Sequence, residues 1–237
     1  MFERFRQRSY ELENIDKGTY TPAEYEGCIV ELQRVNTWLG DAKALRGSLL
    51  KEIEQQGLRS FSILDVGAGS GELLRVTARW ARETDRAPAL LGLELNERSA
   101  RVILDVSAEF PEIVSVQGSG LGLPFPDASV DYVISSLTLH HFDDEGAVSI
   151  LREMGRVARR GIFVIDLHRT PMAYFFYTTL GHLILHNRLL REDGALSILK
   201  SFTAVELEKL GQQAGLKDVT VEKHFPSRLV LVARSVV

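Results

Sequence analysis

"SILDVGAGSGELL", residues 62–74, decides how this chain folds. An apolar run carrying one acid, Asp65, meets Gly67, Gly69 and Gly71, and a helical pattern opens at Glu72. Glycines between a strand and a helix allow left-handed turns and let the backbone come close to a ligand. A dinucleotide turn follows G-x-G-x-x-G and aims its helix N-terminus at a pyrophosphate. Here the third glycine comes one residue early, and Glu72 stands where that turn wants glycine. A carboxylate beside a pyrophosphate is repulsive, so the turn suits a nucleoside that carries an amino acid. The ligand's carboxylate would use the free N–H groups after Gly71, and its ammonium would lie near the turn carbonyls and Asp65.

The next strand points the same way. "LLGLELN" puts Glu94 at a strand end about twenty residues beyond the glycines, where an acid can accept both ribose hydroxyls. Turn and acid together predict S-adenosyl-L-methionine as the cofactor. Without a ligand, the same residues read as a glycine turn closing a strand–helix unit, with Glu94 an exposed acid.

Working outward, short apolar strands "FSILDV", "ALLGLEL", "IVSVQ", "VDYVISS" and "GIFVIDL" alternate with helical patterns at Glu72–Thr84, Glu97–Glu109 and Asp144–Arg159. Strands joined by helical crossovers predict an α/β fold: a mostly parallel, Rossmann-like sheet with helices on both faces. A helical insertion follows Leu167 and runs to about Leu199. "SFTAVELEKLGQQAGL" then opens a helix with Thr203 as N-cap and Glu206 three residues later. "KDVTVEKHF" and "SRLVLVAR" predict a hairpin at the sheet edge.

Before residue 58 the pattern is helical. Thr21, Pro22 and Glu24 form a capping box, with Ile29, Leu32, Val35 and Leu39 at helical spacing and Gly40 as a stop. A second helix is expected from Ala42 to Gln56, ending at Gly57. The division expected is a helical cap over 1–58 and a main domain over 59–237, with a lid insertion at about 170–200.

Composition narrows the function. The chain has 237 residues, 45% hydrophobic and 25% charged, with a net charge of -4. That acidic balance argues against a nucleic-acid partner. One cysteine, Cys28, rules out an internal disulfide and fits a reducing compartment. The start lacks the apolar core of a signal peptide. Met172 to Leu190 is apolar but interrupted by threonines, histidines and an arginine, so no stable membrane span is expected. A cytoplasmic protein is expected. No carboxylate cluster at ligand spacing appears and the histidines are spread out, so no metal is expected.

"ILDVGAGSGELL", "LGLELN" and "LPFPDASVDYVISSLTLHHF" resemble the class I S-adenosylmethionine-dependent methyltransferases over residues 60 to 167, in particular their ubiquinone/menaquinone-type branch. The resemblance implies a seven-stranded sheet with its last strand antiparallel and the cofactor across the carboxyl ends of the first strands. It places Gly67, Ala68, Gly69 and Gly71 in the cofactor turn and Glu94 on the ribose, with Leu95 beside the adenine and Asn96 just past it. Gly118, Ser119, Gly120 and Leu121 would form the adenine slot. Where the family usually carries an acid, this chain has Ser119, a weaker acceptor for the adenine amino group. Ser136 and Leu137 would face the sulfonium end.

Methyl transfer to a hydroxyl needs near-attack positioning and removal of a proton, and a phenol titrates near 10 unassisted. A neutral histidine is the useful base. His140 and His141 end "SSLTLHHF", and His168 follows the fifth strand with Asp166 before it. Each has a plain reading beside the catalytic one: His141 as a loop-holding residue, His140 and His168 as polar residues at element ends. The lid's alternating aromatic and aliphatic residues, among them Tyr174, argue for an apolar or aromatic small-molecule acceptor.

"DLHR", "R-x-D-G-x-L-S-x-L", "SFT-x-x-E-L" and the N-terminal "ELQRVNTWLG" are further similar to methyltransferases found beside bacterial type III polyketide synthases. That similarity implies O-methylation of a phenolic, polyketide-type hydroxyl, with Arg169, Arg191 and Asp193 around the lid. Arg191 and Asp193 also read, without any substrate, as a local turn ion pair. C-methylation of a quinone precursor and a non-catalytic cofactor-binding protein are the alternatives. A nicotinamide oxidoreductase conflicts with Glu72. The N-terminal helices could form a lid or a homodimer surface.

Overall fold

The computed structural model describes residues 3–21, 23–24, 27–28, 31 and 40–235. Seven strands form one sheet in the order β3-β2-β1-β4-β5-β7-β6. They are β1 (Ser60–Val66), β2 (Ala87–Glu94), β3 (Ile113–Gln117), β4 (Val130–Ser136), β5 (Ala158–Leu167), β6 (Lys217–His224) and β7 (Arg228–Arg234). Neighbours from β3 to β5 pair in parallel, and β7 is antiparallel to both β5 and β6. The predicted hairpin therefore forms, with β6 at the edge and β7 inside the sheet.

The helices that follow β1, β2 and β4 form from amphipathic spacing. We label the helices α1 (Asn14–Lys17), α2 (Asp41–Leu45), α3 (Lys51–Gln55), α4 (Glu72–Glu83), α5 (Glu97–Val106), α6 (Asp144–Val157), α7 (Pro171–Ile184), α8 (Arg188–Lys200) and α9 (Ala204–Gln213). A π-helical stretch, Arg46–Leu50, joins α2 to α3, so the predicted second helix is continuous but widened at its centre. Thr203 and Glu206 form the expected capping box, and Thr21 and Glu24 exchange the reciprocal cap bonds. Ile29, Leu32, Val35 and Leu39 lie outside the described residues.

Period-two alternation sends successive strand residues into two cores. On one face Leu64, Val133, Val164 and Leu231 pack with Leu151 and Met154 of α6 and Leu207 of α9. On the other, Ile63, Tyr132, Phe163 and Val230 pack with Leu45 and Ile53 of the N-terminal helices and Leu74 and Trp80 of α4.

Several boundaries differ from expectation, among them two helix ends. α5 stops at Val106 rather than Glu109, and α6 stops at Val157 because Ala158 is already paired with Val130 in the ladder. Among the described residues no helix is long and apolar enough to cross a membrane. α7 ends at Ile184 and α8 begins at Arg188.

Candidate functional site: the crevice at the carboxyl ends of β1, β2 and β4

Gly67, Gly69 and Gly71 have φ of 74°, 57° and 73°, the left-handed region that glycine enters at no steric cost. Gly67 also needs its missing Cβ, which would stand 2.5 Å from Thr138 Oγ1. At Gly69 a Cβ would meet nothing within 4 Å, so this part of the turn opens onto space. The Gly69 N–H donates to Glu94 Oε1 at 2.5 Å. The turn and the acid, 25 residues apart, are thus brought together.

Asp65 is buried beneath the turn and its Oδ1 has no hydrogen-bond partner. Burial, with Glu94 nearby, pushes its carboxyl up to about 8. Glu94 is also raised by burial, against the opposing pull of the Gly69 and Leu95 N–H groups. Both shifts disfavour the ionised forms, so a cation bound between the two acids would be held by the charge it restores to them.

Leu95 is 70% exposed and Leu121 51% exposed, two apolar side chains left in solvent beside the crevice. Ser119 accepts the Leu121 N–H and bridges to Gly122, so its hydroxyl shapes its own loop. Gly118 donates to the Glu94 carbonyl, and a Cβ on Gly120 would press on Val66 at 3.0 Å. Asn96 caps α5 by accepting the Ser99 N–H. Ser136 is half-buried at the end of β4. Leu137 has φ 53°, a strained conformation for a non-glycine residue of the kind held at functional sites.

Beyond Leu137 a 3-10 turn, Leu139–His141, carries the paired histidines. His140 is 3% exposed, and its Nδ1 lies 2.7 Å from Asp166 Oδ1 at the end of β5. Burial alone would raise Asp166, but His140 and the N–H groups of Leu167 and His140 outweigh it and hold the carboxyl below its usual range. An ionised Asp166 requires a proton on His140 Nδ1, which leaves Nε2 as the basic nitrogen.

His141 is 33% exposed and stacks on His140 at 4.4 Å between ring centroids. Burial would lower it, yet Asp16 and Glu13 hold it above its ordinary value. Glu13, His140 and His141 offer donor atoms within 4.8 Å of one another. The Lys200 ammonium, 3.2 Å from Glu13 and 3.6 Å from Asp16, already supplies a cation there.

Other predicted residues sit elsewhere. His168 is half-buried, and burial, Lys223 and Arg169 keep it below its ordinary value. Arg169 was expected at the lid. It is buried, with its donors spent on the Phe5 and Ser201 carbonyls and on Glu206, which leaves no free fork for a phenolate. Asp193 accepts the Asn14 and Ile15 N–H groups and so caps α1, a tertiary contact in place of a local pair with Arg191. Arg191 is half-exposed on α8. Tyr174 lies edge-on to Phe5 at 5.6 Å and lines an open hollow of about 300 Å³ whose wall mixes Arg4, Glu11, Lys17 and Glu192 with Leu196 and Leu199. Thr138, Glu13 and Lys200 had no signal in local spacing, because their partners are remote in sequence.

The sheet order and its two helical layers define the Rossmann-like methyltransferase fold. A methyltransferase-domain family model matches residues 64–165. The demethylmenaquinone methyltransferase of Roseiflexus castenholzii (strain DSM 13941 / HLO8) is 30% identical over 174 residues, 66% of this chain and 68% of that protein. That of Shouchella clausii (strain KSM-K16) is 23% identical over 233 residues, 92% of this chain and 93% of that protein. Among solved structures, human N-acetylserotonin methyltransferase has a TM-score of 0.64 at 17% identity, over 97% of this chain and 63% of that one. A SAM-dependent methyltransferase from Aquifex aeolicus has a TM-score of 0.58 at 17% identity, over 83% and 90%. The chain belongs to the S-adenosylmethionine-dependent methyltransferases. The orphaned Asp65 oxygen and the open space at Gly69 fit that cofactor.

Proposed function

We propose that this enzyme methylates a phenolic hydroxyl of a small apolar aromatic acceptor, with His140 as the general base. The observation that carries the reading is the buried His140–Asp166 pair at the carboxyl ends of adjacent parallel strands, where such sheets place ligands. The turn Gly67–Gly71 and Asp65 would hold the amino-acid end of the cofactor, Glu94 the ribose, Leu95 and Leu121 the flanks of the adenine. When bound, S-adenosylmethionine supplies a sulfonium methyl group for in-line displacement. His140 Nε2 takes the hydroxyl proton, and Asp166 fixes the tautomer and stabilises the imidazolium that results. The similarity of "DLHR" and "SFT-x-x-E-L" to the methyltransferases beside type III polyketide synthases supports a phenolic, polyketide-type acceptor.

The demethylmenaquinone methyltransferases among the relatives favour a second reading, C-methylation of a quinone precursor. The same base serves it, since an ortho carbon becomes nucleophilic once the phenol is ionised. Purified enzyme with labelled cofactor, screened against phenols, resorcinols and quinols and followed by NMR of the product, separates the two by the position of the new methyl group. His140→Ala should lower kcat by roughly 10²- to 10⁴-fold while cofactor Kd by calorimetry stays within about twofold. A rate unchanged across pH would remove the base role. Glu94→Ala should weaken cofactor binding roughly ten- to hundredfold, through loss of charge-assisted hydrogen bonds.

A further inference from the structure

We propose that Arg8, in the N-terminal segment, is a positioning residue for His140, so that the acceptor side of the site is completed from outside the sheet domain. The inference rests on the reading of His140 as the base. The turn that carries His140 follows a strand end and satisfies two of its donors internally: His141 N–H bonds to the Thr138 carbonyl and Phe142 N–H to that of Leu139. The carbonyls of the turn point the other way, and Arg8 meets them. Its Nη2 donates to Phe142 O at 2.8 Å and to His140 O at 3.4 Å. Its Nη1 donates to Asp144 Oδ1 at 2.6 Å, at the start of α6, and its Nε to Lys200 O at 2.7 Å, at the end of α8. The guanidinium lies over the Phe202 ring at 4.0 Å, and the residue is buried.

One rigid fork therefore ties together the histidine turn, the helix after it and the lid helix. Asp166 holds the His140 ring, also accepting the His140 N–H at 3.2 Å. Arg8 holds the main chain from the opposite direction. Arg8, 132 residues before His140 in the chain, and Asp166, 26 residues after it, thus hold one residue by its main chain and its ring. A lysine cannot reproduce the arrangement, because a single ammonium cannot span acceptors on three elements. Loss of the fork would let the turn drift, and a misplacement of about 1 Å can cost roughly 10²-fold in rate.

The test is a double-mutant cycle in the full chain. Arg8→Ala and Arg8→Lys are made alone and on a His140→Ala background, and kcat, KM and cofactor Kd are measured for each. Arg8→Ala alone should lower kcat roughly ten- to hundredfold, with cofactor Kd within about twofold. Arg8→Lys should recover only part of the loss. On the His140→Ala background the Arg8 substitution should cost less than about twofold, because a residue acting through His140 has nothing left to position. If Arg8→Ala does not fold, Arg8→Lys carries the cycle. An Arg8 substitution that cuts the residual rate of His140→Ala as much as it cuts the wild type shows a purely structural role and overturns the proposal. So does an Arg8 variant with full kcat. Full activity in His140→Ala itself removes the base reading, and the Arg8 proposal with it.

Discussion

Asp65 is the residue whose chemistry is most altered by the fold. Its carboxyl is buried, lacks a partner at Oδ1 and shares its surroundings with Glu94, so it titrates at about 8 rather than 3.8. The folded protein therefore binds this proton more tightly than the unfolded chain does. The stability associated with it is complete below about pH 4 and is lost as the pH rises through about 8. Asp65→Asn removes the titration while keeping the shape. The Tm of the ligand-free variant, followed from about pH 4 to 9, should gain on the wild type as the pH rises. Parallel curves would show that Asp65 ionises at its ordinary value. Arg169 and Asp193 are likewise claimed by the fold. Each carries the charge expected of a substrate contact, yet each is consumed by backbone groups of the N-terminal segment or its neighbours. A buried charge takes whatever partners the fold brings to it first.

At the scale of elements, the site depends on how the turn after β1 meets the loop after β4. Thr138 packs against Gly67, and its hydroxyl lies 3.3 Å from the Gly67 carbonyl and 3.0 Å from that of Ser136. Leu137, one residue earlier, holds φ 53° with its N–H on Ile165 O. The two loops thus meet through Thr138, whose side chain fills the space a Gly67 Cβ would need. Gly67→Ala should destabilise the protein by about 2–4 kcal/mol in urea titration, combining a left-handed backbone penalty with a clash on Thr138. Thr138→Ala added to it should return the part due to the clash and leave the backbone part. No recovery in the double variant would mean that the two loops do not bear on each other.

Across the whole molecule, remote segments are joined by buried charges. Arg228, 1% exposed at the start of β7, pairs with Asp41 at the start of α2. Gly40, with φ 95°, lets the chain pass 3.0 Å (measured from its would-be Cβ) from the Phe225 carbonyl at the hairpin. The pair connects the N-terminal helices to the hairpin, 187 residues apart. Arg228→Ala leaves Asp41 buried without its partner and should cost about 3–5 kcal/mol. Arg228→Met with Asp41→Leu should recover most of that loss by denaturant midpoint, since an apolar pair replaces the desolvated charges. A double variant as unstable as the single would show that the ion pair contributes stability of its own.

Legible in the sequence were the alternation of strands and helices, the glycine turn, the acid at the end of β2, both capping boxes and the hairpin. These are local or periodic: burial on one face imposes its spacing wherever the chain is read. The sequence did not determine where α6 would yield to β5, because that point is set by pairing of Ala158 with Val130 in the neighbouring strand. Nor could it say which polar groups would meet. That Arg8 brackets His140 opposite Asp166, that Lys200 lies between Glu13 and Asp16, and that Asp193 caps α1 were decided only by tertiary structure. Packing alone sets the angles at which elements cross, and in a water-poor interior each buried donor must take the acceptor those angles bring within reach.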